Sequence, residues 1–183
     1  MNSNGSTSAV VLAAGSSSRM GYCKALLKRG ELTLVKHLII SLQNAGCAPV
    51  IVVLAEPHAS AIRKELTSIQ GVTMITNPHP EHGMLSSLQE GLRAALEAGD
   101  AGVVFTPVDL PICGPEAVRT LLASQLPSSS VLAAAYQGRA GHPVWVSREV
   151  ALALTQSSLE NSARHVLEAY PTELVSVDDP GVC

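Results

Sequence analysis

The residues best suited to chemistry cluster near the start of the chain, in Ala14-Gly15-Ser16-Ser17-Ser18-Arg19-Met20-Gly21. Gly15 and Gly21 permit close backbone approach and positive φ, so consecutive N–H groups can point at an anion. Arg19 adds a bidentate donor fork, and Lys24 adds a compact positive charge shortly after. Such a loop suits phosphate oxygens; taken alone, it is equally an ordinary Gly/Ser turn that carries two cations. Two familiar phosphate motifs do not apply. A Walker A loop needs G-x-x-x-x-G-K-[ST], whereas the lysine here stands three positions after Gly21, and G-x-G-x-x-G is absent.

Other residues carry chemistry further along. Asp109 closes an apolar run at Pro107-Val108-Asp109-Leu110-Pro111, where a carboxylate is costly unless it meets a cation or solvent. Gly83-Met84-Leu85-Ser86-Ser87 opens a helix, and a helix start offers free N–H groups to an anion. Ser86 and Ser87 cannot both be caps, so one of them is expected to touch a ligand. His142 lies in Gly141-His142-Pro143, read as a loop. His79 and His82 have HxxH spacing, but no third ligand is evident and Pro80 breaks any helix, so they are read as loop residues. Cys23, Cys47, Cys113 and Cys183 are scattered and suggest neither a disulfide framework nor a zinc site.

The elements that must position these residues follow from apolar patterning. Ala9 to Ala14, Val50 to Leu54, Val72 to Ile75 and Gly102 to Thr106 are short apolar runs that predict buried strands. Helices are expected at Thr33 to Ala45, Ala59 to Ile69, Met84 to Ala98, Glu116 to Ala123, Ser147 to Leu154 and Asn161 to Ala169. Strands are also expected at Val131 to Tyr136, Pro143 to Val146 and Glu173 to Val177. The alternation predicts a single-domain α/β fold: a doubly wound, mostly parallel, Rossmann-like sheet with right-handed crossovers, with one mixed-direction strand between Val131 and Val146. Residues 1–8 are polar and read as a disordered leader, and 9–183 as the domain.

Composition narrows the function. Hydrophobic residues make up 46% and charged residues 15%, which suits a folded α/β core. Aromatics at 3% and a net charge of −3 argue against a nucleic-acid partner. No apolar run reaches membrane-spanning length, so the expected location is the cytoplasm.

The sequence LAAGSSSRMGYCKALL, Leu12 through Leu27, resembles the signature of the MobA-like nucleotidyltransferases, most closely the molybdenum cofactor cytidylyltransferases. Asn77-Pro78 with Gly83 to Leu88, Pro107 to Pro111, and Gly141-His142-Pro143-Val144 agree with the same family in order and spacing, from Ala9 to about Val182. The resemblance implies transfer of CMP from CTP to the phosphate of molybdopterin, with release of pyrophosphate. It implies Arg19, Lys24 and Asp109 as catalytic residues, with Asp109 as the Mg²⁺ ligand. Leu12, Ala13, Ala14, Gly15, Ser16, Asn77, Gly83, Met84 and Ser87 become nucleotide-binding residues, and His142 a substrate contact. Implied partners are CTP or GTP, a molybdopterin-type acceptor and, transiently, a molybdoenzyme or its chaperone. Ala13-Ala14 matches the CTP-using branch, where the GTP-using branch carries LAGG; an added methyl would narrow the base pocket.

Sugar-phosphate nucleotidyltransferases are an alternative, but their lysine usually follows a proline, and here Cys23 precedes Lys24. Relatives usually continue past a DDPGV-like segment into an Asp-x-Asp-Thr-Pro stretch that supplies another acidic group. This sequence stops at Asp178-Asp179-Pro180-Gly181-Val182-Cys183, and neither Asp178 nor Asp179 takes over that role. Two expectations follow: a chain lacking a C-terminal segment, or a nucleotide- or cofactor-binding protein with weak or no catalysis.

Overall fold

Strands whose every residue is apolar must be covered on both faces, and the computed structural model, which describes residues 7–15, 22–109 and 113–183, shows that cover. Strand β1 (Thr7–Leu12) leads through a small hairpin, β2 (Lys28–Arg29) and β3 (Leu32–Thr33), into helix α1 (Leu34–Asn44). There follow β4 (Cys47–Leu54), α2 (Ala59–Leu66), β5 (Val72–Thr76), α3 (Met84–Glu97) and β6 (Gly102–Pro107). The chain then forms α4 (Pro115–Ala123), β7 (Val131–Tyr136), β8 (Arg139–Ser147), α5 (Arg148–Gln156), α6 (Ala163–Leu167) and β9 (Thr172–Ser176).

Seven strands make one sheet in the order β5-β4-β1-β6-β8-β7-β9. Every neighbouring pair is parallel except those of β8, which runs against both β6 and β7. The expected mostly parallel sheet with one reversed strand is therefore present. Alternate residues of β1 divide between two cores. Ala9 and Val11 join α1, α2 and α4, while Val10 and Leu12 join α3 and α5. Among the described residues no helix is long and apolar enough to cross a membrane.

Three details depart from the sequence reading. Thr7 and Ser8 belong to β1 rather than to a leader. They pair with Cys47 and Val103, and the Ser8 amide donates to the Asp100 carboxylate at 3.0 Å. The crossovers are not uniform in hand. The connections β1-α1-β4 and β5-α3-β6 run in opposite directions on opposite faces and so share one hand. By contrast, β6-α4-β7 advances the same way as β5-α3-β6 but on the α1 face. There α4 buries Ala117, Val118 and Leu121 beside α1, while α5 covers β6 and β8 on the other side. Finally, Pro80 opens a 3₁₀ turn, Pro80–His82, where a proline costs no hydrogen bond.

The order reverses at β1. The chain first builds outward through β4 and β5, then α3 returns it to β6 on the other flank. In open α/β sheets a crevice forms at such a reversal, outside the carboxyl ends of the strands. Gly91 sets how closely α3 approaches: a methyl there would collide with Val10 and crowd Val53.

Candidate active site

The carboxyl ends of β4, β1 and β6 are locked side by side. The Ala13 amide donates to Val53 O at 2.9 Å, and the Val108 amide donates to Leu12 O at 3.1 Å. Ala13, Ala14 and Gly15 then leave the sheet toward the loop singled out from the sequence. Ser16 and Arg19 lie outside the described residues. At Lys24–Leu26 a single 3₁₀ turn buries the Ala25 methyl, so the neighbouring Lys24 side chain is held over the crevice. Its ammonium lies 2.9 Å from Asp109 Oδ2, joining residues 85 positions apart, and the two side chains are 37% and 43% exposed. An ion pair this exposed contributes about 0–1 kcal/mol to stability. Its value is positional, because it sets a cation and a carboxylate facing the same cleft.

The third wall is the start of α3. Gly83 stands at the helix cap with φ +85°, a conformation that side chains resist, and no side chain caps the helix. The first-turn N–H groups of a helix have no intrahelical acceptor. Asn77 organises this corner. Its Nδ2 donates to Ser86 Oγ at 2.9 Å and to Ser87 Oγ at 3.0 Å, while its Oδ1 accepts from the His79 amide at 2.8 Å. The Ser86 hydroxyl is shared between the carbonyls of Gly83 and His79, at 2.8 and 3.1 Å. The serine pair thus divides: Ser86 is occupied by backbone, whereas Ser87 lines the cleft.

These walls enclose a cavity of about 580 Å³, within the usual range for small-molecule sites. Of the residues expected from the sequence, Leu12, Ala13, Ala14, Gly15, Lys24, Gly83, Met84, Ser87 and Asp109 all line it. Asn77 and His142 do not. Asn77 is only 3% exposed, and its amide is used in holding the serines, which makes it a positioning residue. His142 lies on β8 rather than in a loop and packs edge-on against Phe105 at 5.7 Å. Burial lowers its pKa below the ordinary histidine value, opposed by hydrogen bonding with the Phe105 backbone and by the charge of Asp109. The imidazole is therefore neutral near pH 7.

Reasoning from the sequence missed Glu56 and Glu81 in the cavity wall. Glu81 lies beside two histidines whose rings stack on each other, its Oε1 3.0 Å from His79 Nδ1 and 3.9 Å from His82 Nε2. Glu56 directly follows the apolar run of β4, and the rule that ligands gather at carboxyl ends of strands would have flagged it. Among the described residues no group of three or more His, Cys, Asp or Glu side chains could hold a metal ion. One carboxylate completed by substrate phosphates is nevertheless a donor set that magnesium accepts, so the half-exposed Asp109 fits a cation held largely by nucleotide.

Comparison with known proteins agrees with this architecture. Residues 9–174 match the MobA-like NTP transferase domain. The probable molybdenum cofactor guanylyltransferase of Carboxydothermus hydrogenoformans is 25% identical over 167 residues, covering 91% of this chain and 78% of that protein. Among solved structures, Rv0371c of Mycobacterium tuberculosis H37Rv superposes with a TM-score of 0.80 at 25% identity, covering 94% of this chain and 89% of that one. The same mycobacterial protein in complex with manganese matches with a TM-score of 0.71 at 24% identity, with the same coverage.

Proposed function

This chain belongs to the family of MobA-like NTP transferase domains, and on that premise we propose that its cleft transfers CMP from CTP to the phosphate of a molybdopterin-type acceptor. The observation that carries this reading is the Lys24–Asp109 pair, which spans the crevice between the β1 exit and the β6 exit. An oxygen of the acceptor phosphate attacks the α-phosphorus of the triphosphate. The bond from the α-phosphorus to the bridging oxygen breaks, and pyrophosphate leaves with that electron pair. The attacking oxygen is already anionic, so no general base is needed. Catalysis then consists of positioning and charge neutralisation.

Lys24 and Arg19 neutralise phosphate charge, and Ala14 and Gly15, past the end of β1, offer backbone N–H groups, with Ser16 next in the sequence. Gly83, Met84 and Ser87 receive the nucleoside at the start of α3. Asn77 keeps Ser87 in place. Asp109, with the phosphates of the nucleotide, would hold a magnesium ion whose chemistry is to neutralise charge on those oxygens. His142, which does not line the cavity, is kept as an acceptor-side residue on the family resemblance alone, its ring packed behind β6 against Phe105.

The choice of CTP rests on Ala14, a residue of the cavity wall, where a glycine would leave more room for a purine. The guanylyltransferase name of the Carboxydothermus relative favours GTP as the second reading. Pyrophosphate release by the purified chain, assayed with each triphosphate, magnesium and molybdopterin, decides between them. Faster turnover with CTP supports the first reading and faster turnover with GTP the second. Binding without turnover would instead indicate a nucleotide-binding protein.

A further inference from the structure

Three carboxylates line the cavity, and two of them are engaged. Asp109 is paired with Lys24, and Glu81 lies against His79 and His82. Glu56 is different. It is exposed and lines the same cavity, yet it carries no side-chain hydrogen bond or ion pair among the described residues. A carboxylate that faces a ligand cavity with both oxygens available is acceptor-only, so it selects N–H or O–H donors and repels phosphate.

Its place in the sheet says which part of a nucleotide it meets. Glu56 follows β4, which flanks β1 on the side away from β6, whereas the Lys24–Asp109 pair joins the β1 exit to the β6 exit. Asp109, with the ammonium it holds, and Glu56 are therefore on opposite flanks of β1. Dinucleotide-binding sheets use the same arrangement, with phosphates at the first strand and an acidic residue at the end of the adjacent strand that accepts from ribose hydroxyls. An amino group on the base is the other nucleoside donor of suitable chemistry, since carboxylates accept from cytosine N4.

We propose that Glu56 is a specificity-determining residue that accepts a hydrogen bond from a donor on the nucleoside half of the substrate and, by its charge, holds the triphosphate at the Lys24 end. This inference rests on the nucleotidyltransferase reading above.

The test is calorimetric binding to the full chain and to its Glu56→Ala and Glu56→Gln variants, with CTP, 2′-deoxy-CTP, UTP and inorganic tripolyphosphate as probes. Glu56 is exposed, so both variants should keep the wild-type melting temperature. Loss of a hydrogen bond to a charged acceptor should weaken CTP binding by about 10- to 100-fold in Glu56→Ala. Tripolyphosphate should bind as well as before or more tightly. If the donor is the ribose, wild type prefers CTP over 2′-deoxy-CTP and Glu56→Ala loses that preference; if it is the base amine, the preference over UTP is lost instead. Equal shifts for CTP and tripolyphosphate, or unchanged CTP affinity in both variants, would overturn the inference while leaving the nucleotidyltransferase reading intact. A wild-type chain that binds tripolyphosphate but no nucleotide would overturn both.

Discussion

Two aspartates flank the segment that follows β6, and they are satisfied in different ways. Asp179, in the C-terminal turn, accepts from the Gly114 amide through Oδ2 at 2.7 Å and from the Gly181 amide through Oδ1 at 2.8 Å. Both of its oxygens are committed to backbone, and they tie the turn Pro180–Val182 to the start of α4. Asp109, in the cleft, meets a lysine ammonium on a long side chain instead, with nearly half its surface open. A carboxylate bonded to fixed amides is part of the scaffold. One paired with a movable cation can exchange that partner for a ligand. The contrast explains why Asp179 does not substitute for a cleft residue: both of its oxygens are already bonded to backbone.

The largest effect should come from the cleft. Lys24→Ala or Asp109→Asn should lower the rate of pyrophosphate release by about 10²- to 10⁴-fold. Their melting temperatures should stay close to wild type, because an exposed ion pair contributes about 0–1 kcal/mol. Asp179→Ala should do the reverse. Leaving two backbone donors without their acceptor should cost about 1–3 kcal/mol by urea denaturation, with turnover at permissive temperature changed little. A mutant of Asp179 that loses turnover but not stability would place Asp179 in the cleft chemistry and not in the scaffold.

Much of this division was legible from the sequence, and what was not has a physical reason. The apolar runs of β1, β4 and β6 announce strands buried on both faces, and the spacing of Gly15, Lys24 and Asp109 places each beyond a strand end. Asn77 looks like a ligand in a linear motif because its real partners, Ser86 and Ser87, come into reach only when α3 folds back. His142 looks like a loop residue because Gly141 precedes it. Yet that glycine is required by packing: a methyl at 141 would run into the Val182 carbonyl of the C-terminal turn. Glu56 belongs to no motif; its one sequence signal is its place just after the apolar run of β4, and the fold shows that it opens onto the cleft.

A smaller effect is expected at the base pocket of the cleft. Ala14→Gly should shift the ratio of CTP to GTP turnover toward GTP by about 10-fold, the scale of one methyl group in a pocket. Equal turnover ratios in mutant and wild type would remove Ala14 from base selection.

The smallest effect concerns the thiols. Burial pushes Cys47 up to about 12, with further help from Cys113, and pushes Cys113 up to about 11, with further help from Asp179. Both therefore remain protonated at pH 8 and should resist iodoacetamide, while the half-buried Cys23 and Cys183 react. Because the folded values lie above the ordinary value of 9.0, their contribution to stability is complete below that pH. It should be lost as the pH rises from there through about 11 and 12. Cys23 lines the cleft, so nucleotide should slow its alkylation and leave Cys183 unaffected.

Where the nucleotide binds is read directly from a crystal structure of the chain with magnesium and a CTP analogue whose α,β-bridge resists cleavage. The phosphates should lie between Lys24, Asp109 and the turn at Ala13 to Gly15, with the nucleoside against Gly83 to Ser87. Nucleotide bound elsewhere, or phosphates turned away from the Lys24–Asp109 pair, would contradict this placement.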